Sequence, residues 1–189
     1  MLESAFLIMC LGHTVDHDLV RAISHWESSG NKYALYINKW KMDQFKNLTL
    51  DEAVLVAEKM VEEGYTVDVG LMGINSNNIE RFNMSVKEAY DPCVNVHLGG
   101  HILYENMQFA AEKGKSGDDL LKTALSLYNT GTTTFGFKNG YVDRVWKIYS
   151  ASTEYKANQA GIDIPWGNET NLIEIKREKP TWKVNSRHE

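Results

Sequence analysis

Three short segments carry the side chains with the most informative chemistry, and the first begins at Glu27. It reads Glu-Ser-Ser-Gly-Asn and ends at Asn31. A carboxylic acid beside a polar turn can reach into a cleft and give its proton to a glycosidic oxygen. Most charged side chains at helix ends are solvated surface groups. This segment alone is therefore compatible with a catalytic acid and with a solvated surface glutamate.

The second segment, residues 67–76, reads Val-Asp-Val-Gly-Leu-Met-Gly-Ile-Asn-Ser. Alternating apolar residues with two glycines indicate a strand that turns sharply where a ligand or another backbone comes close. A plain buried turn is the alternative. Asp68 supplies a second carboxylate, and paired carboxylates are the usual equipment of glycoside cleavage. The sequence gives no distance between Asp68 and Glu27, so their pairing is a hypothesis.

The third segment begins with Tyr128-Asn129-Thr-Gly and continues over residues 136–142, Gly-Phe-Lys-Asn-Gly-Tyr-Val. A tyrosine at a helix end can place its hydroxyl against a carboxylic acid or a sugar, and sugar faces stack well on aromatic rings. The alternative is a core aromatic residue followed by a turn. None of the three segments is decisive by itself.

Taken in order, and with Asp91-Pro-Cys between the second and third, these segments resemble the lytic transglycosylases attached to bacterial type IV secretion and conjugation machines. The resemblance covers about residues 4–147. It implies that Glu27 is the catalytic glutamate and that Tyr128 orients it. The substrate-binding residues it implies are Ser28, Asn31, Leu71, Met72, Asn75, Tyr128 and Asn129.

The chain departs from that family at two positions. Gly73 stands where the family usually has glutamine, and Lys32 replaces a usual proline. The first change removes a side chain expected to contact substrate, and both bear on substrate affinity. Residues 67–76 are also similar to a strand of c-type lysozymes, in which an aspartate at the place of Asp68 is the second catalytic carboxylate.

The resemblance implies cleavage of the bond between N-acetylmuramic acid and N-acetylglucosamine in peptidoglycan, with a 1,6-anhydro product, to open the wall locally for a secretion apparatus. The first alternative is a lysozyme-type hydrolase that uses Glu27 and Asp68. A second alternative, of another class, is a peptidoglycan-binding module that retains the fold with little turnover. No cofactor or metal is predicted, because the two cysteines lack metal-ligand spacing.

The elements that must position these residues are mostly helices. Apolar spacing and capping residues predict helices over residues 16–29, 50–63, 79–84, 92–112, 118–128 and 141–150. Two further segments, residues 33–39 and 66–74, are typical of strands. The sequence therefore predicts a predominantly helical α+β protein. The resemblance implies a lysozyme-like fold with a small β-hairpin region beside the active-site cleft.

The first of these helices places Glu27 in its last turn, with Thr14 or Asp16 as the N-cap. The macrodipole is negative at a helix C-terminus, so the neutral carboxylic acid is favoured there over the carboxylate. A general acid must be protonated before it acts. The predicted position therefore suits the predicted role.

Composition excludes several partners. Hydrophobic residues make up 43% of the chain and charged residues 24%, and the formal charge is -5 with no basic stripe. We therefore expect a soluble globular protein with no nucleic-acid partner. The longest apolar run, residues 5–11, is too short to cross a bilayer. No basic segment precedes it as in a signal peptide, so we expect either a trimmed chain or another export route.

Cys10 and Cys93 can form one bridge or remain two buried thiols. The resemblance implies a periplasmic location, which is oxidising and favours the disulfide. Residues 1–148 are predicted to form the catalytic domain and residues 149–189 a tail. The tail is either flexible or a segment that docks on secretion-system components. In the second case its anchors are Trp166, Ile173, Ile175 and Trp182.

Overall fold

The computed structural model describes residues 2–11, 15–38, 45 and 47–152. Its helices are α1 (Ser4–Leu11), α2 (His17–Ser28), α3 (Leu50–Glu62), α4 (Ser76–Arg81), α5 (Val86–Ala89), α6 (Pro92–Glu112), α7 (Gly117–Thr130), α8 (Phe135–Lys138) and α9 (Tyr141–Tyr149). Its strands are β1 (Leu35–Ile37), β2 (Val67–Val69) and β3 (Ile74–Asn75). The predicted class, predominantly helical α+β, is confirmed. No helix in the described part of the chain is long and apolar enough to cross a membrane.

The three strands form one antiparallel sheet in the order β1-β2-β3. Asp68 on β2 pairs with Tyr36 on one side and with Asn75 on the other. Directly paired residues project to the same face of a sheet. The neighbouring positions, represented by Val69 and Ile74, are buried and face the core. The sheet therefore separates an apolar face from a polar face that carries Asp68.

Helix ends fall where the sequence predicts them when a local side chain caps the helix. Asp16 caps α2, because its Oδ1 accepts from the amides of Asp18 at 2.8 Å and Leu19 at 3.1 Å. Thr49 and Glu52 form a reciprocal capping box at the start of α3. The other cap candidate for α2, Thr14, lies outside the described residues.

Several predicted boundaries were wrong. The helix predicted over residues 79–84 begins earlier, because Asn75 accepts from the amide of Asn77 at 3.0 Å and caps α4. The helix predicted over residues 118–128 ends later, because α7 continues to Thr130 and Gly131 ends it in the left-handed conformation. The short helices α1, α5 and α8 were not predicted. Helices of four to eight residues carry too little periodicity to be recognised.

The described chain divides into two compact units. The first comprises residues 2–11 and the described part of 23–99, and it contains α1, the sheet, α3, α4 and α5. A disulfide joins Cys10 in α1 to Cys93 at the start of α6. Asp91 caps that helix start through the amides of Cys93 at 2.9 Å and Val94 at 3.0 Å. The Asp91-Pro-Cys segment therefore combines a capped helix start with a cross-link.

The second unit comprises residues 15–22 and 100–152 among those described. It contains α7, α8 and α9, which pack against one another. Within it, the Tyr149 hydroxyl donates to Asp16 Oδ2 at 2.6 Å in a buried contact. The predicted tail, residues 149–189, lies almost entirely outside the described residues, so its two readings stay predictions.

Candidate functional site in the first unit

Glu27 lies in the last turn of α2, as predicted, and it is half-buried. The chain then reverses through Ser29 and Gly30, which have φ angles of 53° and 80°. The left-handed conformation of two successive residues ends the helix abruptly. Asn31 stabilises the turn that follows, because its Oδ1 accepts from the amide of Tyr33 at 3.0 Å. The sequence Glu-Ser-Ser-Gly-Asn thus encodes an acid at the edge of a fixed turn.

Ser28 connects the end of α2 to residues 70–73, which we call the 70–73 turn. Its hydroxyl lies 2.9 Å from the carbonyl oxygen of Leu71 and 3.0 Å from that of Ser24. It also accepts from the amide of Gly30 at 3.1 Å. These contacts stabilise the protein internally, so Ser28 serves to hold the turn beside Glu27.

The 70–73 turn approaches Glu27 through Gly73. A Cβ atom added at Gly73 would lie 2.9 Å from Glu27 Oε2 and 3.2 Å from Cδ. Gly73 also has a φ of +59°, which disfavours a side chain. The glycine that stands in place of the family's usual glutamine therefore lies directly against the candidate acid.

Asn95 on α6 holds the same turn from its other side. Its Oδ1 accepts from the amide of Met72 at 2.8 Å, and its Nδ2 donates to the carbonyl oxygens of Val69 at 3.0 Å and Ala89 at 2.8 Å. A Cβ at Gly70 would lie 2.2 Å from that Nδ2. Gly70 is thus the residue that lets Asn95 reach the backbone.

Asp68 is 5% exposed. Its Oδ1 accepts from Nδ2 of Asn75 at 2.7 Å, and its Oδ2 accepts from Nδ2 of Asn38 at 3.4 Å. Two amide donors on neighbouring elements fix the orientation of this carboxylate. Tyr36, paired with Asp68 across the sheet, is 53% exposed. The polar sheet face therefore presents an exposed aromatic ring beside a held carboxylate.

The remaining predicted contacts in this unit are buried. Leu71 and Met72 are both buried, and Met72 packs so closely that a Cβ at Gly99 would lie 2.8 Å from its Cβ. Asn75 is 3% exposed. Its side chain donates to Asp68 and caps α4. These side chains shape the turn and the hairpin.

Tyr33, just after the segment from Glu27 to Asn31, packs against a second aromatic residue, Tyr90. The rings of Tyr33 and Tyr90 meet edge to face with centroids 6.4 Å apart. Lys32, which replaces a usual proline, lies over the Tyr33 ring with Nζ 4.9 Å from the centroid. Burial raises the pKa of Tyr90, so its phenol is neutral at physiological pH. The Lys32 replacement therefore adds a cation on a tyrosine ring near the end of α2.

The Tyr-Asn-Thr-Gly segment belongs to the second unit. Tyr128 is 8% exposed and lies in the last turns of α7. Asn129 Oδ1 accepts from Nδ2 of Asn139 at 2.8 Å, which links the two parts of the third segment. Asn139 also accepts from the amide of Tyr141 at 2.9 Å and so fixes the start of α9. Asn129 is thus engaged within its own unit.

Sequence reasoning missed Tyr36 and Asn95. The alternation of exposed Tyr36 with Leu35 and Ile37 is a period-two signal that could have identified Tyr36 as the outward residue. Asn95 carries no such signal, because an asparagine inside a long helix is usually a surface residue. No cluster of three or more His, Cys, Asp or Glu suited to a metal ion occurs among the described residues.

The helical α+β fold and the order of the motifs agree with a known class of enzyme domain. The transglycosylase SLT domain family matches residues 9–149. The chain belongs to this family. Its fold is accordingly lysozyme-like, as the resemblance of the ordered motifs implied. No solved structure matches the chain.

The chain is also similar to two curated proteins of type virB1. The chain is 29% identical over 138 residues to the type IV secretion system protein virB1 of Brucella abortus biovar 1 (strain 9-941), covering 70% of this chain and 58% of that protein. It is 36% identical over 97 residues to protein virB1 of Agrobacterium fabrum (strain C58), covering 50% of this chain and 38% of that protein. The matched segments thus span about half the length of these relatives.

Proposed function

We propose that this protein is a peptidoglycan lytic transglycosylase with Glu27 as its acid and base. The observation that supports this proposal most directly is the placement of Glu27. It is a half-buried carboxyl group at a helix C-terminus, against the backbone of the 70–73 turn. Family membership supplies the class of reaction. Helix-end position and partial burial suit a group that must carry a proton.

In the proposed reaction, the Glu27 carboxyl gives its proton to the oxygen between N-acetylmuramic acid and N-acetylglucosamine. The bond from the muramic acid C1 to that oxygen breaks through an oxocarbenium-like transition state. The 6-hydroxyl of the same muramic acid then attacks C1, and Glu27 takes its proton. A 1,6-anhydro sugar forms without consuming water. One residue acts as acid and then base, and the enzyme ends in its starting protonation state.

The second candidate is hydrolysis, with Asp68 as the partner of Glu27. One observation favours it: two asparagine amides fix the orientation of Asp68 on the polar sheet face. A held carboxylate is what a nucleophile or charge stabiliser requires. The low exposure of Asp68 argues for the transglycosylase scheme, which does not need it.

The exposed side chains of the site are proposed to bind the substrate. Tyr36 offers a ring for stacking against a sugar, and Asn31 lies exposed in the turn after Glu27. Ser28, Leu71, Met72 and Asn75 are proposed to shape the site through backbone and packing. The family resemblance assigns Tyr128 the orientation of Glu27 and gives Asn129 to substrate. Both assignments stay predictions.

The decisive experiment digests purified peptidoglycan and identifies the released muropeptides by mass spectrometry. The parent should release 1,6-anhydro products, and Glu27→Gln should lower the rate by at least about 100-fold because the acid is lost. Glu58→Gln, at an exposed position of α3, is the matched control and should keep the parent rate. Reducing ends without anhydro sugars, together with loss of rate in Asp68→Asn, would establish the hydrolase instead. Equal rates for parent and Glu27→Gln would contradict both schemes.

We further propose that the protein acts in the periplasm and opens the wall for a type IV secretion apparatus. The support is the name of the Brucella relative and the Cys10–Cys93 disulfide, since disulfides persist in oxidising compartments. Recruitment through residues 149–189 stays a prediction, because most of that segment lies outside the described residues. Fractionation of cells that produce the protein would test the compartment. Recovery in the cytosol with reduced cysteines would contradict it.

A further inference from the structure

A Cβ atom added at Gly73 would come closer to the Glu27 carboxyl group than Cβ atoms normally lie to other heavy atoms. A Cβ at Gly73 would stand 2.9 Å from Glu27 Oε2, 3.2 Å from Cδ and 3.3 Å from Cβ. Real Cβ atoms essentially never lie less than 3.0 Å from such a neighbour. The bare Cα of Gly73 therefore occupies the space beside the acid, and any side chain there must displace something.

Two hydrogen bonds restrain the 70–73 turn beside Glu27. Asn95 holds the amide of Met72 at 2.8 Å, next to Gly73 in the chain. The Ser28 hydroxyl lies 2.9 Å from the carbonyl oxygen of Leu71, which belongs to the same peptide group as the Met72 amide. Both holding groups are side chains fixed on helices, one at the end of α2 and one on α6. The group that an added side chain would meet first is the carboxyl group of Glu27.

We propose that Gly73 is a positioning residue for Glu27, in which the absent side chain lets the 70–73 turn hold the carboxyl group in its productive orientation. This inference rests on the proposed role of Glu27 as the acid. It reverses the expectation drawn from the family's glutamine: adding a side chain at position 73 costs turnover instead of restoring a substrate contact.

The kinetic test compares Gly73→Ala, Gly73→Gln and a matched control. Gly64→Ala is that control, because Gly64 also has a positive φ, +87°, but nothing within 4 Å of an added Cβ. Both substitutions at Gly73 should lower kcat at least about tenfold with KM within twofold, since small misplacements of a reacting group are costly. Gly64→Ala should retain the parent kcat. Parent kcat in Gly73→Ala, or a gain of turnover in Gly73→Gln, would overturn the proposal.

A second measurement does not depend on activity. Gly73→Ala is made in the parent and in Glu27→Ala, and each pair is melted thermally. The Tm loss should be smaller in the Glu27→Ala background, because Oε2 and Cδ are gone, whereas Gly64→Ala should cost the same in both. Equal losses for Gly73→Ala in both backgrounds would overturn the contact. An inactive parent with unequal losses would instead reject the proposed function while leaving the contact in place.

Discussion

Two tight turns of this protein are stabilised in opposite ways. The 70–73 turn is held by Asn95 and Ser28, which lie 23 and 43 residues from their partners Met72 and Leu71. The turn between α7 and α8, residues 131–134, is held by its neighbours. Ser126 donates to the carbonyl oxygen of Thr132 at 2.7 Å and accepts from the amide of Gly136 at 3.0 Å.

The difference determines how far a change at each turn should spread. The second turn depends on bonds that span at most ten residues, so its geometry follows from its own sequence. The 70–73 turn depends on where α2 and α6 are placed, so its geometry follows from the fold of its unit. It is also the turn in which an added side chain at Gly73 would meet Glu27. The turn that is proposed to position the candidate acid is therefore the non-locally held one.

The largest effect is expected from Asn95→Ala. It removes three buried hydrogen bonds and leaves the amide of Met72 without that acceptor. We expect the free energy of unfolding to fall by about 3 kcal/mol, near 1 kcal/mol for each bond. Urea denaturation measures this loss, with Asn78→Ala at a half-exposed position of α4 as the control. A loss no larger than that of the control would remove the basis for calling this turn non-locally held.

A smaller effect is expected from Ser126→Ala in the second turn. The hydroxyl makes two bonds there, so we expect a loss of about 1–2 kcal/mol. Ser116→Ala is the matched control, because Ser116 makes no capping bond through its side chain. Chemical denaturation in the same buffer compares the two. If Ser126→Ala costs more than Asn95→Ala, the contrast between the turns is wrong.

The smallest effect concerns the two capping boxes, which are local bonds within the first unit. Hydrogen bonds from Thr49 and Ser85 lower the pKa of Glu52 and Glu88, respectively. A lowered folded-state pKa stabilises the protein above the ordinary glutamate pKa, about 4.3, and that contribution is lost as the pH falls through the lowered value. Both carboxylates are exposed, so the loss is small.

The corresponding measurement is Tm as a function of pH between 6 and 3. The double variant Glu52→Gln/Glu88→Gln should lose slightly less Tm on acidification than the parent, because its caps do not titrate. Glu58→Gln/Glu62→Gln, on the same helix α3, is the control for removing two charges. Parallel curves for parent and double variant would show that the capping boxes contribute nothing to acid stability.

Much of the scaffold was predictable because its signals are local. The starts of α2, α3 and α6 coincide with capping by Asp16, Thr49 and Asp91, each of which bonds within three residues. The strand β2 and the sharp turn after it were predictable from alternation and two glycines, whereas the hairpin was expected only from the family resemblance. The start of α4 was not, because Asn75 serves both as a cap and as the donor to Asp68.

The candidate site also combines features that are encoded locally with contacts that depend on the fold. The sequence by itself determined the order of the motifs, and therefore the family, together with the placement of Glu27 in a last helical turn. Only the tertiary structure decided that Ser28 and Asn75 bond internally, that Asn95 holds the 70–73 turn, and that Gly73 lies against the acid. The physical reason is range: a cap or a periodic face is encoded within a few residues, whereas a contact across 20 or more residues exists only after the chain has folded.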